Sequence, residues 1–162
     1  MITFREALST ADFEIASSLF QEYAESLGID LEFQNFSKEI ATPGQEYTKP
    51  HGALFLVFNS EQIVVGCFAL RRFEKEIGEL KRMYLKQEAR GQGIGAMMLQ
   101  KALSIGVKLG YTRIRLDTLP SMTSAIGLYQ KMGFYEIDAY RFNPIAGTKY
   151  MEINLQSNRD SK

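Results

Sequence analysis

The chain has 162 residues, enough for one domain with a sizeable buried core. Its 19 Lys and Arg residues balance 19 Asp and Glu residues, so overall charge gives no case for a nucleic-acid partner or an anionic membrane. A single cysteine (Cys67) and a single histidine (His51) exclude an intrachain disulfide and a cysteine-based zinc site, so we expect no metal.

The first half of the chain predicts a strand, two helices and three further strands. ITFREAL is predicted as a strand, and residues 10–27 as a helix with an apolar face. A short helix is predicted at 33–41, ended by the Pro- and Gly-containing stretch ATPGQEYTKPHG. Three consecutive strands follow, ALFLVF, QIVVGCFALRRF and EIGELKRMYL, the first two joined by NSEQ as a hairpin.

The second half predicts two helices that alternate with strands. A helix begins at the glycine-rich stretch near residue 94, TRIRLDT follows as a strand, and SMTSAIGLYQKMG is a helix ended by Gly133. FYEIDAY and TKYMEINL are the last strands. The order β-α-α-β-β-β-α-β-α-β-β predicts an α/β fold of the mixed α+β type with a mixed sheet.

Residues 1–155 are assigned to a single domain and 156–162 to a polar C-terminal tail. The N-terminus MITFREALST lacks a secretory signal pattern, and no apolar run approaches the length of a membrane span. We therefore expect a cytoplasmic protein without membrane association.

The stretch ARGQGIGAMML places Gly91, Gly93 and Gly95 at alternate positions, directly before an apolar helical pattern. Glycine costs a helix or strand about 0.5–1 kcal/mol relative to alanine, so three glycines this close need a reason. Backbone N–H groups at a helix N-terminus can bind a phosphate, and the helix dipole favours it. The alternative is a tight loop in which glycine only relieves steric crowding.

Two phosphate-binding motifs fit this stretch poorly. Gly91-x-Gly93-x-x-Ala96 formally matches the dinucleotide fingerprint, with Asp117 at the end of the next strand. However, KQEAR separates the preceding strand from Gly91, and too few residues follow Asp117 for a second nucleotide-binding half. A P-loop would end in Gly-Lys-Ser/Thr, which this loop lacks.

Arg90-x-x-Gly93-x-Gly95 resembles the Arg/Gln-x-x-Gly-x-Gly/Ala signature of the GNAT superfamily of N-acetyltransferases. ELKRMYLKQEARGQGIGAMML and AIGLYQKMGF resemble two blocks of that family in order and spacing. The resemblance implies a GNAT-like fold, with a mixed, twisted seven-stranded sheet flanked by about four helices. It also implies acetyl transfer from acetyl-CoA to a primary amine of a small molecule or peptide, by direct attack in a ternary complex. A non-catalytic sensor that binds acyl-CoA is the alternative.

The resemblance implies that the glycine turn holds the pyrophosphate of coenzyme A. Met83, Tyr84 and Leu85 would act through backbone groups, on the pantetheine arm and the acetyl carbonyl. Met122 stands where the second family block often has asparagine. The remaining implied cofactor contacts are Arg90, which either binds phosphate or braces the turn, and Gly91, Gln92, Gly93, Ile94, Gly95, Ala96, Ser121 and Ser124.

Acyl transfer to an amine needs a group that accepts the amine proton. Glu79 is the first candidate, because its distance from Leu85 matches the strand glutamate of the family. Strand alternation predicts that Glu79 shares a face with Lys81, Met83 and Leu85. The alternative is an exposed carboxylate paired with a neighbouring basic residue, and Asp117 is a weaker candidate for the base.

Tyr129 resembles the family tyrosine that faces the coenzyme A sulfur, so it is the predicted proton donor, with a purely structural aromatic as the alternative. Cys67 is expected to be a buried inert thiol.

Between residues 22 and 46 the sequence has six acidic residues and one basic residue, Lys38. This excess of negative charge favours a cationic acceptor, unless the acidic residues only form solvated helix faces. Family resemblance also makes a homodimer an expectation. The six acidic residues of that segment are Glu22, Glu25, Asp30, Glu32, Glu39 and Glu46.

Overall fold

The computed structural model describes residues 1–28 and 36–156, in which seven strands form one sheet with helices on both faces. The strands are β1 (Thr3–Glu6), β2 (Ala53–Phe58), β3 (Val64–Glu74), β4 (Ile77–Leu85), β5 (Arg113–Thr118), β6 (Tyr135–Ile137) and β7 (Lys149–Asn154). The helices are α1 (Thr10–Leu27), α2 (Phe36–Ala41), α3 (Pro43–Glu46), α4 (Ile94–Lys108) and α5 (Thr123–Lys131), and a 3-10 turn spans Gln87–Ala89.

The predicted mixed seven-stranded fold is confirmed. Helix α1 has the predicted bounds, because the Ser9 hydroxyl accepts from the Asp12 N–H at its start and Gly28 adopts a left-handed conformation at its end. Within the described residues there is one helix more than predicted, since Pro43 begins α3 where a break was expected. Residues 33–35 of the predicted second helix and the tail from residue 157 lie outside the described residues.

The strands lie in the order β1-β2-β3-β4-β5-β7-β6, and every neighbouring pair is antiparallel except β4 and β5. Helices α4 and α5 cover one face of the sheet, where their apolar residues pack on Phe68 and Leu80. Helices α1 and α2 cover the other face, where Leu54, Leu56 and Cys67 are buried. Both faces of β2 are therefore dry, which explains its uninterrupted apolar sequence.

A β-bulge interrupts β4 at Arg82. Lys81 pairs with Ala69 and Tyr84 pairs with Cys67, so β4 has one residue more than β3 between these pairs. Arg82 has a φ of 55°, and the Cys67 thiol lies 3.4 Å from its carbonyl oxygen. The extra residue reverses the alternation of side chains along the rest of the strand.

The prediction that Glu79 shares a face of the sheet with Met83 and Leu85 is therefore wrong. Glu79 and Lys81 share their face with Tyr84, on the side of α1. Met83 and Leu85 pack instead on the face covered by α4. Strand alternation failed here because a bulge adds a residue without any mark in the apolar pattern.

Candidate active site

Strands β4 and β5 separate in the middle of the sheet. They pair in parallel only from Ile77 with Arg113 to Glu79 with Arg115. Beyond that point β4 continues to Leu85 alongside β3, while β5 continues to Thr118 alongside β7. The two strands thus border a gap that begins at Glu79 and leads towards the start of α4.

The glycine turn stands at the end of β4. Gly91 and Gly93 have φ values of 81° and 78°, and a Cβ on either would meet nothing within 4 Å. Both glycines are therefore required by backbone conformation, and open space lies in front of them. Gly93 is the N-cap of α4, whose first turn has no side-chain cap and no acidic residue. The helix start presents N–H groups and the positive end of the dipole to an anion.

Gly95 has a different role from the other two glycines. A Cβ at this position would stand 3.4 Å from Leu128 Cδ2, so the small residue allows α4 to lie close to α5. Arg90 braces the turn, since its Nε donates to the Leu85 carbonyl at 2.9 Å. Gln92 is exposed, Ile94 is buried and Ala96 is half-buried along the same segment.

Helix α5 also begins without a cap. Its N-cap residue, Met122, makes no capping hydrogen bond, and its first turn has no acidic residue. Ser121 and Ser124 are both exposed beside this end. The uncapped starts of α4 and α5 follow the two strands that border the gap, so both can receive an anionic ligand from the same side.

Glu79 is fully buried and held by three side chains. Arg71 Nε donates to Oε1 at 3.1 Å, Arg141 Nη2 donates to Oε2 at 2.5 Å, and the Tyr140 hydroxyl donates to Oε2 at 2.9 Å. Burial alone would raise the pKa of Glu79, but the charges of Lys81, Arg141 and Arg71 overcome it and lower that pKa. Glu79 is therefore an ionised carboxylate that binds a further proton weakly.

Asp117 interacts electrostatically with the phenols of Tyr23 and Tyr129, and we call these three residues the gap cluster. Among the described residues, Asp117 Oδ2 is buried and has no hydrogen-bond partner. Burial raises the pKa of Tyr129, and Tyr23 and Asp117 raise it further. Burial likewise raises the pKa of Tyr23, with a further contribution from Asp117 and an opposing one from Arg82. Both phenols thus remain protonated at neutral pH.

Lys81 is buried on the same strand as Glu79. The pKa of Lys81 is lowered to about 8, chiefly by burial and also by Arg82 and Arg141, while Glu79 and Asp117 act in the opposite direction. Lys81 thus lies within the electric field of both candidate bases. This interaction links Glu79 to the gap cluster.

Two members of the acidic set between residues 22 and 46 are already bound to other side chains. Glu39 forms a buried ion pair with Arg82. Glu22 accepts from the Tyr84 hydroxyl at 2.6 Å and lies 3.6 Å from Lys86 Nζ. Asp30 and Glu32 lie outside the described residues. The prediction of a cationic acceptor stays a prediction.

Sequence reasoning missed Tyr23, Arg71, Tyr140 and Arg141. Tyr23 belongs to the apolar pattern of α1, so its hydroxyl gave no separate signal. Tyr140 and Arg141 lie between β6 and β7, more than sixty positions from Glu79. Only the alternation of β3, which pairs Arg71 with Glu79, could have predicted one of these contacts.

The fold is shared with solved acetyltransferases. A GNAT-family acetyltransferase from Staphylococcus aureus superimposes with a TM-score of 0.79 over 96% of this chain and 99% of that one, at 22% identity. The chain is 34% identical to an uncharacterized N-acetyltransferase of Schizosaccharomyces pombe, over 89% of each protein. It is 27% identical to an uncharacterized N-acetyltransferase of Dictyostelium discoideum, over 78% of this chain and 86% of that protein.

The family model of the GNAT acetyltransferases matches residues 14–134. That range contains the glycine turn, both strands of the gap and the gap cluster. The chain belongs to the GNAT family and is an N-acetyltransferase. None of the helices in the described residues is long and apolar enough to cross a membrane.

Proposed function

We propose that this N-acetyltransferase moves an acetyl group from acetyl-CoA to a primary amine of a small molecule or peptide, by direct attack in a ternary complex. The observation that carries the proposal is the gap between β4 and β5, with the uncapped start of α4 at one end and the gap cluster on its border. Acetyl-CoA supplies the acetyl group as an activated thioester. The N–C bond forms as the C–S bond breaks, one proton leaves the amine and one returns to the sulfur.

The described residues fit coenzyme A at the glycine turn. Its pyrophosphate requires N–H donors and space, and the uncapped start of α4 with the open positions of Gly91 and Gly93 supplies both. Gln92, Ile94, Gly95 and Ala96 complete the proposed phosphate site, with Arg90 as its brace. Ser121 and Ser124 at the start of α5 add hydroxyl donors.

The unpaired edge of β4 is the proposed track for the pantetheine arm. Met83, Tyr84 and Leu85 follow the bulge, where β4 no longer pairs with β5. An extended ligand can add its own hydrogen bonds to such an edge, as a further strand would. Side-chain identity matters little for this contact, which agrees with the different environments of the three side chains.

Two carboxylates are proposed as alternative proton acceptors. Glu79 matches the family position, but a proton can reach its oxygens only in competition with Arg71, Arg141 and Tyr140. Asp117 Oδ2 has no such competitor among the described residues. If Asp117 accepts the proton, Glu79 instead holds the two arginines in place.

Tyr129 is the proposed proton donor to the departing thiolate. Its hydroxyl belongs to the gap cluster, and its raised pKa keeps the proton on Oη at neutral pH. The thiol that forms has a reference pKa near ~8.5, below that of the phenol, so Tyr129 first stabilises the thiolate by a hydrogen bond. The structural alternative is an aromatic that only packs against Phe134.

Thermal unfolding with acetyl-CoA, free coenzyme A, NAD and no ligand tests the donor. A donor at a hundred times its Kd should add about 2.7 kcal/mol to the free energy of unfolding, which raises Tm by several degrees. Stabilisation by acetyl-CoA but not by NAD supports the proposal. No stabilisation by either contradicts it.

Acetyl transfer to an amine panel then separates the enzyme from the acyl-CoA sensor, which would bind acetyl-CoA without turnover. Tyr129→Phe should lower kcat more than it weakens acetyl-CoA binding. Tyr135→Phe, at an exposed tyrosine bonded to Glu152, is the matched control. Equal activity of Tyr129→Phe and the control would assign Tyr129 to packing.

The two candidate bases differ in their effect on the pH–rate profile. In the variant that lacks the base, kcat/KM should no longer fall as the pH is lowered. In the other variant, kcat/KM should still fall at low pH, and its highest value should be lower than in the wild type. Glu79→Gln and Asp117→Asn are compared with Glu136→Gln and Asp138→Asn at exposed carboxylates. If both site variants keep the limb, neither carboxylate is the base. The cytoplasmic location and the homodimer stay predictions.

A further inference from the structure

Tyr140 lies over the point at which β4 and β5 separate. It belongs to the connection between β6 and β7, and its hydroxyl donates to Oε2 of Glu79 at 2.9 Å. Glu79 is the last residue of β4 that pairs with β5, where its partner is Arg115. The hydroxyl of Tyr140 is therefore held at the start of the gap, on the face of the sheet that α1 covers.

The ring of Tyr140 connects the two sides of the gap. It packs edge-on against Phe73 and Tyr150, with ring centroids 4.8 and 4.9 Å apart. Tyr150 is the residue of β7 that pairs with Asp117 near the end of β5. Burial raises the pKa of the Tyr140 phenol, and the charges of Glu79 and Asp117 raise it further. Tyr140 thus lies between a carboxylate of β4 and a carboxylate of β5.

The hydrogen bond to Glu79 fixes what the phenol of Tyr140 can offer a ligand. Glu79 is ionised and has no proton to donate, so Tyr140 supplies the proton of this hydrogen bond. A phenol has a single O–H donor, and here the carboxylate already accepts it. Towards any further group, Tyr140 Oη is therefore a hydrogen-bond acceptor only.

Asp117 provides a second acceptor on the other side of the gap. Its Oδ2 atom is buried and has no hydrogen-bond partner among the described residues. Burial of a polar atom without a partner costs free energy, so a ligand that donates a hydrogen bond to Oδ2 recovers it. The gap thus presents two acceptors, Tyr140 Oη and Asp117 Oδ2, to a group that carries donors.

The surroundings of the gap favour a neutral amine over an ammonium ion. Lys81 follows Glu79 on the same face of β4, and it carries an amine of its own. Its pKa is lowered to about 8, chiefly by burial and also by Arg82 and Arg141. An acceptor amine in the gap meets the same burial and the same charges. A neutral primary amine has two N–H donors and one lone pair.

We propose that Tyr140 and Asp117 bind the nitrogen of the acceptor, and that this pair makes the enzyme specific for primary amines. The inference rests on the acetyl transfer proposed above. One N–H donates to Tyr140 Oη and the other to Asp117 Oδ2, which leaves the lone pair for the acetyl carbon. A secondary amine has a single N–H, so one acceptor stays without a donor. Glu79 is then a positioning residue that acts through Tyr140.

The two hydrogen bonds also determine where each proton goes. As the nitrogen lone pair forms the N–C bond, the proton shared with Asp117 moves to Oδ2. The proton that faces Tyr140 stays on nitrogen and becomes the N–H of the amide product. The electron pair of the C–S bond stays on sulfur as the thiolate, which Tyr129 stabilises. Asp117 is therefore the proton acceptor in this arrangement.

The experiment compares primary amines with their N-methyl derivatives. The pairs are glycine and N-methylglycine, phenethylamine and N-methylphenethylamine, and N,N-dimethylethylenediamine and its N′-methyl derivative. The rest of the acceptor carries a negative charge, no charge and a positive charge, respectively. For each primary amine that is acetylated, kcat/KM should exceed that of its N-methyl derivative by roughly tenfold or more, as one lost hydrogen bond to a buried group predicts. Equal values within the pairs would overturn the inference.

Tyr140→Phe separates the hydrogen bond from the steric effect of the methyl group, because it removes the hydroxyl and keeps the ring. It should lower kcat/KM for the primary amine about tenfold. The N-methyl derivative should change less than about threefold, since its one N–H donates to the stronger acceptor, Asp117. The ratio of the two values is measured on one preparation, so any unfolded fraction cancels. An equal effect on both acceptors would contradict the contact with Tyr140.

Tyr150→Phe is the matched control. It removes the hydroxyl of the neighbouring ring, which donates to the Arg141 carbonyl at 2.9 Å, and it should leave the preference for primary amines unchanged. Glu79→Gln tests the positioning role and should reduce the preference as Tyr140→Phe does. Addition of Tyr140→Phe to Glu79→Gln should then lower kcat/KM by less than about threefold more. Losses that multiply in the double variant would show that Glu79 does not act through Tyr140.

Failure of the inference and failure of the proposed function give different results. Acetylation of primary and N-methyl amines with equal kcat/KM would overturn the inference while acetyl transfer to an amine holds. A preference for primary amines that Tyr140→Phe leaves intact would assign the preference to steric exclusion and also overturn it. Acetyl-CoA binding with no turnover of any amine would instead overturn the proposed function, and the inference with it.

Discussion

Arg82 and Glu39 form a buried, two-point ion pair that ties the bulge of β4 to helix α2. Arg82 Nε and Nη2 donate to the two carboxylate oxygens at 2.6 and 2.9 Å, and both side chains are 4% exposed. A left-handed backbone conformation costs a non-glycine residue about 1–2 kcal/mol, and Arg82 adopts one. The ion pair offsets this strain and thereby stabilises the bulge, which reverses the alternation of side chains along the end of β4.

Removal of one partner should be costly, because the other charge then stays buried and unpaired. We expect Glu39→Ala to lower the free energy of unfolding by roughly 3–5 kcal/mol. Urea unfolding measures the difference, with Glu14→Ala on the exposed face of α1 as the control. A loss below about 1 kcal/mol would mean that Arg82 finds another partner.

The carboxylate of Glu79 should make the protein sensitive to acid. Its pKa lies below the ordinary 4.5 in the folded protein, so its contribution to stability is fully present above that pH. The contribution is lost as pH falls through the folded-state pKa. The difference in free energy of unfolding between the wild type and Glu79→Gln should therefore be constant above about pH 5.5 and shrink below pH 4.5.

Urea unfolding between pH 7 and pH 3 measures this difference. Glu136→Gln is the control, because that carboxylate is exposed and pairs with Lys149 Nζ at 3.2 Å on the protein surface. A difference that stays the same at all pH values would show that the pKa of Glu79 does not differ between the folded and unfolded states in this range.

Gly93→Ala and Gly95→Ala should differ in their effect on the free energy of unfolding. Gly93 has a left-handed conformation, so Gly93→Ala should lower the free energy of unfolding by about 1–2 kcal/mol. Gly95 lies in the first turn of α4 with ordinary backbone angles, and its Cβ would only touch Leu128. Gly95→Ala should therefore be within about 1 kcal/mol of the wild type, since helix propensity offsets the contact.

Chemical unfolding of the two variants in the same buffer gives this comparison directly. Gly127→Ala is a suitable third variant, because nothing lies within 4 Å of a Cβ there and the position is inside α5. Equal losses for Gly93→Ala and Gly95→Ala would show that packing, rather than backbone conformation, governs the turn.

The thiol of Cys67 should react only after the protein opens. Cys67 is fully buried, and burial raises the pKa of its thiol, so the reactive thiolate is scarce in the folded state. Labelling with a thiol reagent should be at least about a hundredfold slower than in urea. The rate should rise in Glu39→Ala if the lost ion pair favours local opening, and a fast rate in the wild type would contradict the burial.

The elements and the glycine turn were predictable because their signals are local. Apolar periodicity, the Ser9 cap and the glycines before α4 all act within a few residues along the chain. The bulge at Arg82 was not predictable, since an extra strand residue leaves the apolar pattern intact. It moved Met83 and Leu85 to the face opposite Glu79.

The environment of Glu79 depended on contacts between distant parts of the chain. Its position on β4 follows from the sequence alone, but its partners Arg71, Tyr140 and Arg141 come from another strand and from the connection between β6 and β7. The roles of Glu79 and Tyr129 remain predictions for the variants above. What could not be anticipated was that the candidate base would lie between two guanidinium groups.

The sequence by itself determined the order of the strands and of the four predicted helices, the glycine turn and the family, because these depend on residues close together in the chain. Only the tertiary structure decided which charges meet. The separation of β4 from β5, the burial of the Asp117 carboxylate oxygen and the two arginine partners of Glu79 each require strands and loops far apart in sequence to pack together. Charge interactions act through space, so their partners are defined by the fold and not by spacing along the chain.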